Sequence, residues 1–395
     1  MIEWYYEYQK RVIDFSPNMP QPILVRGARQ LLTLRGNEHT SGPRRGARMS
    51  ELGIIHDGAL LLSRGVIEHV GPTRRLENLT MAKNAKVVDA TGMIVLPGFI
   101  DPDCQLVSRE KNVYQSPLSV KKAEHDARRN LAQMIRCGTL SLDSVVGPGP
   151  DDVAEAKALK IHHHLQAIHP NLIPSYAPAN LMSADLAKLS RQDWIQFVEF
   201  AAEGEGWNEE VAQDWRERSA HLGFLMKARA RSLRSCFNLP VEQVCFEGEA
   251  GAQEIEWAAA QRWVLSASPI EELRRGRRSP QWRQMLEQGV ALAIATGGSG
   301  IVGAASMQIM IALACSEMGF TIAEAITAST INAAHALGIQ AIAGSLEPGK
   351  RADLLILDVP DHHEISYHLG INLVSKVILH GKIFCQQMEL EWPGA

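Results

Sequence analysis

Residues 95–107 read VLPGFIDPDCQLV and residues 344–358 read GSLEPGKRADLLILD, and the pattern of the chain changes at each of them. Upstream, ILVRGARQLLTLRG (residues 23–36) alternates apolar and polar side chains as a half-buried strand does. GIIHDGALLLSRGVIEHVGP (residues 53–72) is broken at Asp57-Gly58 and Arg64-Gly65, both turn dipeptides, and predicts a β-hairpin. KVVDATGMIVLPGFID continues the β character. From Leu96 to about Gly344, short apolar runs (CGTLSLDSV, LKIHHHLQAI, VEQVCF, RWVLSAS, GVALAIAT) read as strands and alternate with charged, 3.6-periodic stretches. Strand and helix alternation over that length predicts an α/β protein with a parallel (β/α)8 TIM-like barrel, either complete or shortened between residues 145 and 285. ADLLILDVP and NLVSKVILHGKIF then return to strands. The two β-rich ends are expected to pair as a composite β-sandwich, which divides the chain at residues 1–95, 96–344 and 345–395.

Composition narrows the function. Of 395 residues, 46 % are hydrophobic and 21 % charged, within the usual range for a folded globular chain. Forty basic against forty-four acidic side chains leave a net charge of −4, which provides no attraction for phosphate backbones or anionic lipid. Nucleic-acid and membrane-surface roles are therefore not expected. The uncharged stretch 288–316 is long enough to span a bilayer, but TGGSGIVG at its centre predicts a strand, a loop and a buried helix instead. The six cysteines form no C-x-x-C pair and read as reduced thiols of a cytoplasmic protein, and MIEWYYEYQKRVIDF lacks the features of a secretory signal.

The stretches 95–107, 344–358 and TIAEAITASTINAAHALGI (residues 321–339) together resemble the amidohydrolase superfamily. The tail VPDHHEISYHLGINLVSKVILHGK (residues 359–382) is similar to its imidazolonepropionase-like members. The resemblance covers roughly residues 21–385 and is strongest at the two ends. It implies a barrel holding zinc or iron, a β-sandwich from both chain ends, and hydrolysis of C–N bonds in cyclic amides or amidines. In that chemistry a divalent cation polarises the carbonyl and lowers the pKa of a bound water.

The resemblance also implies where the ligands belong, and they are missing. Asp103-Cys104-Gln105 stands in place of H-x-H, and Gly297 in place of the aspartate that ligates metal and accepts the proton of the attacking water. The two remaining histidines fall near Phe246 and Glu247 and near Ser268 and Pro269. A neutral amide and a hard carboxylate make a poor site for a borderline-soft ion, and glycine offers no ligand at all.

Other residues admit two readings each. His162, His163 and His164 form the one run of three histidines; on a strand, His162 and His164 share a face at metal-ligand spacing, and otherwise they pack or face solvent. His169 is placed either against substrate or at a strand end, and Arg109 either against substrate or in a solvated loop. Asp103, Glu247 and Glu249 supply either a carboxylate pair or a polar cavity floor. TGGSG (residues 296–300) resembles a phosphate-binding loop but lacks the lysine and spacing of a P-loop. Cys104 reads as a buried thiol, the aromatic arm Trp4, Tyr5, Tyr6 and Tyr8 as packing on the sandwich or a partner, and Asp143 and Glu324 as structural acids.

The expectation is a catalytically degenerate homologue without cofactor, acting as a small-molecule binder or subunit partner and assembling as a homodimer. The alternatives are an active C–N hydrolase built on Asp103, Glu247 or Glu249 with His162, His164 or His169, and a purely structural oligomer component.

Overall fold

The computed structural model describes residues 21–36, 42–107, 116–178, 186–192, 194–203, 209–236, 239, 241–276, 281–297 and 306–386. The chain ends form one eight-stranded sheet from β1 (Ile23–Leu32), β2 (Ile54–Ser63), β3 (Val66–Pro72), β4 (Lys86–Asp89) and β5 (Ile94–Pro97). It is completed by three strands from the far end of the chain, β14 (Leu354–Leu357), β15 (Val374–Leu379) and β16 (Lys382–Gln386). Their order is β16-β15-β14-β5-β1-β2-β3, with β4 parallel to β1. β14 lies antiparallel to β5, pairing Leu354 with Pro97 and Leu357 with Ile94. The apolar faces of the two chain ends thus share one cluster that includes Val25, Leu31, Leu60, Leu354 and Ile356.

One residue past β5, Gly98 turns the chain into β6 (Phe99–Cys104), the first barrel strand. Its neighbours follow in chain order as β7 (Thr139–Val146), β8 (Leu172–Tyr176), β9 (Phe197–Ala201), β10 (Leu225–Ala230), β11 (Gln243–Phe246), β12 (Val264–Ala267) and β13 (Leu292–Ile294). All eight strands are present, so the stretch 145–285 is not missing a unit. Strands such as β7 and β11 are buried along their whole length, as parallel strands covered on both faces must be. The last gap, between β13 and β6, is closed mainly by side chain. The carboxylate of Asp101 accepts the Thr296 backbone N–H at 3.1 Å and the Thr296 hydroxyl at 2.5 Å, and the Gly297 N–H reaches the Asp103 carbonyl at 2.9 Å.

Two expectations from the sequence are corrected. Asp57-Gly58 is no turn: β2 runs through it, with Asp57 at φ +49° opposite a register shift in β1 between Val25 and Ala28. A side chain at residue 58 would place Cβ 2.4 Å from Leu31 Cβ, so the glycine is there for close approach. The run LKIHHHLQAI is helix, not strand. Asp151 caps the helix Asp152–Ile168 by accepting the Ala154 N–H, and Ala154, Ala158, Ile161, His162 and Leu165 are buried at helical spacing. Among the described residues no helix is long and apolar enough to cross a membrane. The stretch 288–316 gives β13 and part of the helix Met307–Glu317, and residues 298–305 of the glycine-rich loop lie outside the described residues.

Candidate functional site

Period-two alternation along parallel strands sends every second side chain into the barrel. On β6 these are Asp101 and Asp103, on β7 Asp143, on β9 Glu199, on β10 Lys227 and Arg229, and on β11 Gln243 and Cys245. The ladders set their levels, placing Lys227 opposite both Glu199 and Gln243, and Arg229 opposite Cys245. Three of these carboxylates, Asp103, Asp143 and Glu199, therefore meet two cations in one ion-pair network.

Lys227 is fully buried. Its ammonium donates to Asp143 at 2.5 Å and to Asp103 at 3.3 Å, lies 3.4 Å from Glu199, and donates to the Pro102 carbonyl at 3.2 Å. Arg229 sits one level nearer the mouth. Its three nitrogens reach Glu199, Asp103 and Glu247, each at 2.8 Å. Ser175 donates to the other oxygen of Asp143 at 2.7 Å, and the Gln243 amide spans the Pro102 carbonyl and Ser266 at 3.0 and 2.6 Å. Charges this deep are tolerated only when paired and hydrogen-bonded, which is the state of each.

The protonation pattern follows from the pairing. Burial raises the Asp103 and Glu199 carboxyls, but Arg229 and Lys227 beside them outweigh it and hold both below the ordinary range. Burial opposes charge on Lys227 and Arg229 as well, yet Asp103 and its neighbours keep both firmly cationic. Asp143 is different, since burial outweighs Lys227 and Ser175 and pushes its carboxyl up to about 6. Asp101, with no cation beside it, is pushed up to about 7 by burial. The Cys104 and Cys245 thiols are also raised, chiefly by burial, so neither is a ready thiolate nucleophile.

The network opens on a cleft of about 290 Å³ at the C-terminal ends of the strands, lined by Asp103, Arg229, Glu247, Ser268, Glu272 and Arg275 among others. This is where barrels of this type carry their sites. Of the residues singled out in the sequence, Asp103 and Glu247 meet here, bridged by the Arg229 guanidinium rather than forming a free pair. Glu249 is exposed, and Gln105 lies just past β6. Phe246 points outward, edge-on against Trp282, and Ser268 heads the helix Pro269–Arg275 with its hydroxyl on the Thr296 carbonyl.

The histidine candidates lie elsewhere. Two residues apart on a helix is about 200° of rotation, so His162 and His164 point apart. His162 is buried between the helix and β7, with Nε2 2.8 Å from Ser144 Oγ, whereas His164 is half-exposed beside Glu124 at 3.4 Å. His169 caps the same helix just before β8, at the N-terminal end of the barrel opposite the cleft. Burial lowers it to about 4. Arg109 and the aromatic arm lie outside the described residues. Glu324 is a structural acid, closing a capping box with Thr321 and pairing with Arg283 at 2.9 Å. Asp143, also read as a structural acid, is the closest partner of Lys227.

Gly297 departs from an aspartate in conformation as well as chemistry. Its φ is +82°, and a Cβ there would lie 2.6 Å from Ser268 Oγ. Gly297→Asp is expected to cost about 1–3 kcal/mol in a urea titration, through backbone strain and this contact. A variant as stable as the parent would remove the conformational argument.

Comparison with known proteins agrees with this layout. Residues 201–384 match the amidohydrolase family. Imidazolonepropionase from Brevibacillus brevis is 29 % identical over 421 residues, covering 92 % of this chain and 98 % of that protein. The Geobacillus kaustophilus imidazolonepropionase is 29 % identical over 418 residues, with the same coverage. Among solved structures, A. niger ochratoxinase superposes with a TM-score of 0.70 at 15 % identity, covering 93 % of this chain and 96 % of that one. E. coli guanine deaminase gives 0.68 at 14 %, covering 93 % and 100 %. These two share the fold. Residues 201–384 thus resemble the amidohydrolase family, and the chain over most of its length is similar to imidazolonepropionases.

Proposed function

We propose that this protein is an imidazolonepropionase-like homologue in which Lys227 and Arg229 supply the positive charge of the barrel centre, and that it binds a small molecule in the cleft without metal-dependent hydrolysis. The observation that carries this reading is the Lys227 ammonium, 2.5, 3.3 and 3.4 Å from Asp143, Asp103 and Glu199. Inside the barrel, Asp103, Glu199 and Cys245 bring one donor each within 4.8 Å of one another. That set does not fit a divalent cation. Two of its carboxylates are already engaged by the lysine and arginine, its thiol is held protonated, and an ion there would face an ammonium across one carboxylate oxygen.

On the same reading the chain divides at residues 1–95, 96–344 and 345–395, works in the cytoplasm as a homodimer, and keeps Cys104, Cys137, Cys236 and Cys245 as reduced buried thiols. Metal content and turnover test it together. The expected result is no ion whose binding depends on Asp103, and no chelator-sensitive opening of an imidazolone ring. One equivalent of zinc, iron or manganese lost in Asp103→Ala, together with chelator-sensitive turnover, overturns it.

A second reading is a metal-free C–N hydrolase, favoured by the Asp103 and Glu247 carboxylates that line the cleft. Chelator-insensitive turnover abolished by Glu247→Gln is its expected signature, and inactivity of the parent chain removes it.

A further inference from the structure

The turn after β14 carries a second group of ligating side chains, in the sheet of the chain ends rather than the barrel. Asp361, His362 and His363 each present one donor, all within 4.8 Å of one another. His362 is held in place, its side chain only 9 % exposed, with Nδ1 3.0 Å from Gln30 Oε1 and 3.4 Å from Asp361 Oδ1. Gln30 Nε2 donates to the second Asp361 oxygen at 2.7 Å. His363 Nδ1 lies 2.6 Å from Asp361 Oδ1, and its side chain is 60 % exposed.

A tetrahedral ion with ligands at about 2.0–2.1 Å keeps its donors about 3.3 Å apart. The spacings His362–Asp361 at 3.4 Å and His362–Gln30 at 3.0 Å are close to that value. The third is short because a proton lies between His363 and Asp361, and His362 Nδ1 likewise carries the proton it donates to Gln30 Oε1. Binding a cation displaces both Nδ1 protons and requires the exposed His363 imidazole to withdraw by roughly 0.7 Å, a small rotation of a solvent-facing side chain. Imidazole nitrogens with one carboxylate and one amide oxygen suit a zinc-like ion better than a hard one such as magnesium.

We propose that Asp361, His362 and His363, with Gln30 Oε1 as fourth donor, bind one divalent transition ion of the zinc type. Such an ion fastens the turn after β14 to β1, joining parts of the chain 331 residues apart. Its role is to stabilise the sheet, and it contributes nothing to the cleft.

The test uses the full chain without a polyhistidine tag, stripped with chelator and titrated with zinc by calorimetry and thermal melts. One equivalent is expected, with the melting midpoint raised by roughly 3 °C at saturation. Affinity is expected to fall about tenfold or more in His363→Asn and in Gln30→Ala, and to be unchanged in Cys245→Ala. His363 is exposed, so its variant folds whatever becomes of the Gln30 one. No stoichiometric binding, or binding unchanged in His363→Asn, overturns the assignment. Binding lost in Cys245→Ala but kept in His363→Asn places the ion in the barrel and overturns the proposed function as well, whereas failure of the turn site alone leaves that function standing.

Discussion

Lys227→Met is expected to destabilise the folded chain by about 3–5 kcal/mol, the cost of removing one partner from a buried ion-pair network. Methionine fills nearly the same volume as the lysine stem, so the effect isolates the charge. Asp143 loses its 2.5 Å partner, and Asp103 and Glu199 keep only Arg229. Equilibrium urea unfolding measures the loss. Pairing the substitution with Asp143→Asn is expected to recover part of it, because the buried carboxylate is neutralised together with the ammonium. If Lys227→Met cost less than about 1 kcal/mol, the range of an exposed ion pair, the network would not hold the charges described. The proposed substitute for the divalent centre would fall with it.

The second large effect is a decline of stability between pH 4 and 7 that originates in Asp101. Its folded carboxyl sits at about 7, above the unfolded value of 3.8, so the folded state holds the proton more tightly. The contribution is complete below the unfolded pKa and is lost as pH rises towards 7, amounting to about 4 kcal/mol at 1.36 kcal/mol per unit. Asp143 works in the same direction up to about 6. Asp103 and Glu199 work the other way: their folded values are depressed, so the stability they contribute is present above the unfolded carboxyl pKa and lost on further acidification. Asp101→Asn retains the acceptor for the backbone N–H groups of Thr296 and Asp103 and can donate to the Thr296 hydroxyl, reproducing the protonated acid. Relative to the parent, the variant is expected to gain about 3 kcal/mol between pH 4.5 and 7. Parallel stability profiles for the two proteins would show that the seam between β13 and β6 carries no such proton.

Legibility differed along the chain for definite reasons. The strands flanking Gly98 and those at the tail are apolar, alternating and closed by glycine turns, so period alone reveals them. The run LKIHHHLQAI fits either period because it is short and apolar; the deciding feature is the cap at Asp151, which starts the helix eight residues before the run begins at Leu159. FVEFA and LMKARA were passed over altogether, being five or six residues long with a charge in the middle. The available signal was the Lys227 and Arg229 pair, two cations at spacing two in an otherwise apolar run, which on a parallel strand both face inward.

By itself the sequence determined the strand–helix barrel, the shared sheet of its two ends, and the absence of imidazole at residues 103, 105 and 297, because each is written in local order or in residue identity. Tertiary structure alone decided what occupies the barrel centre. Lys227 lies 84 residues from Asp143 and 124 from Asp103, and a cation reads as solvated until the fold supplies the carboxylates that compensate its burial.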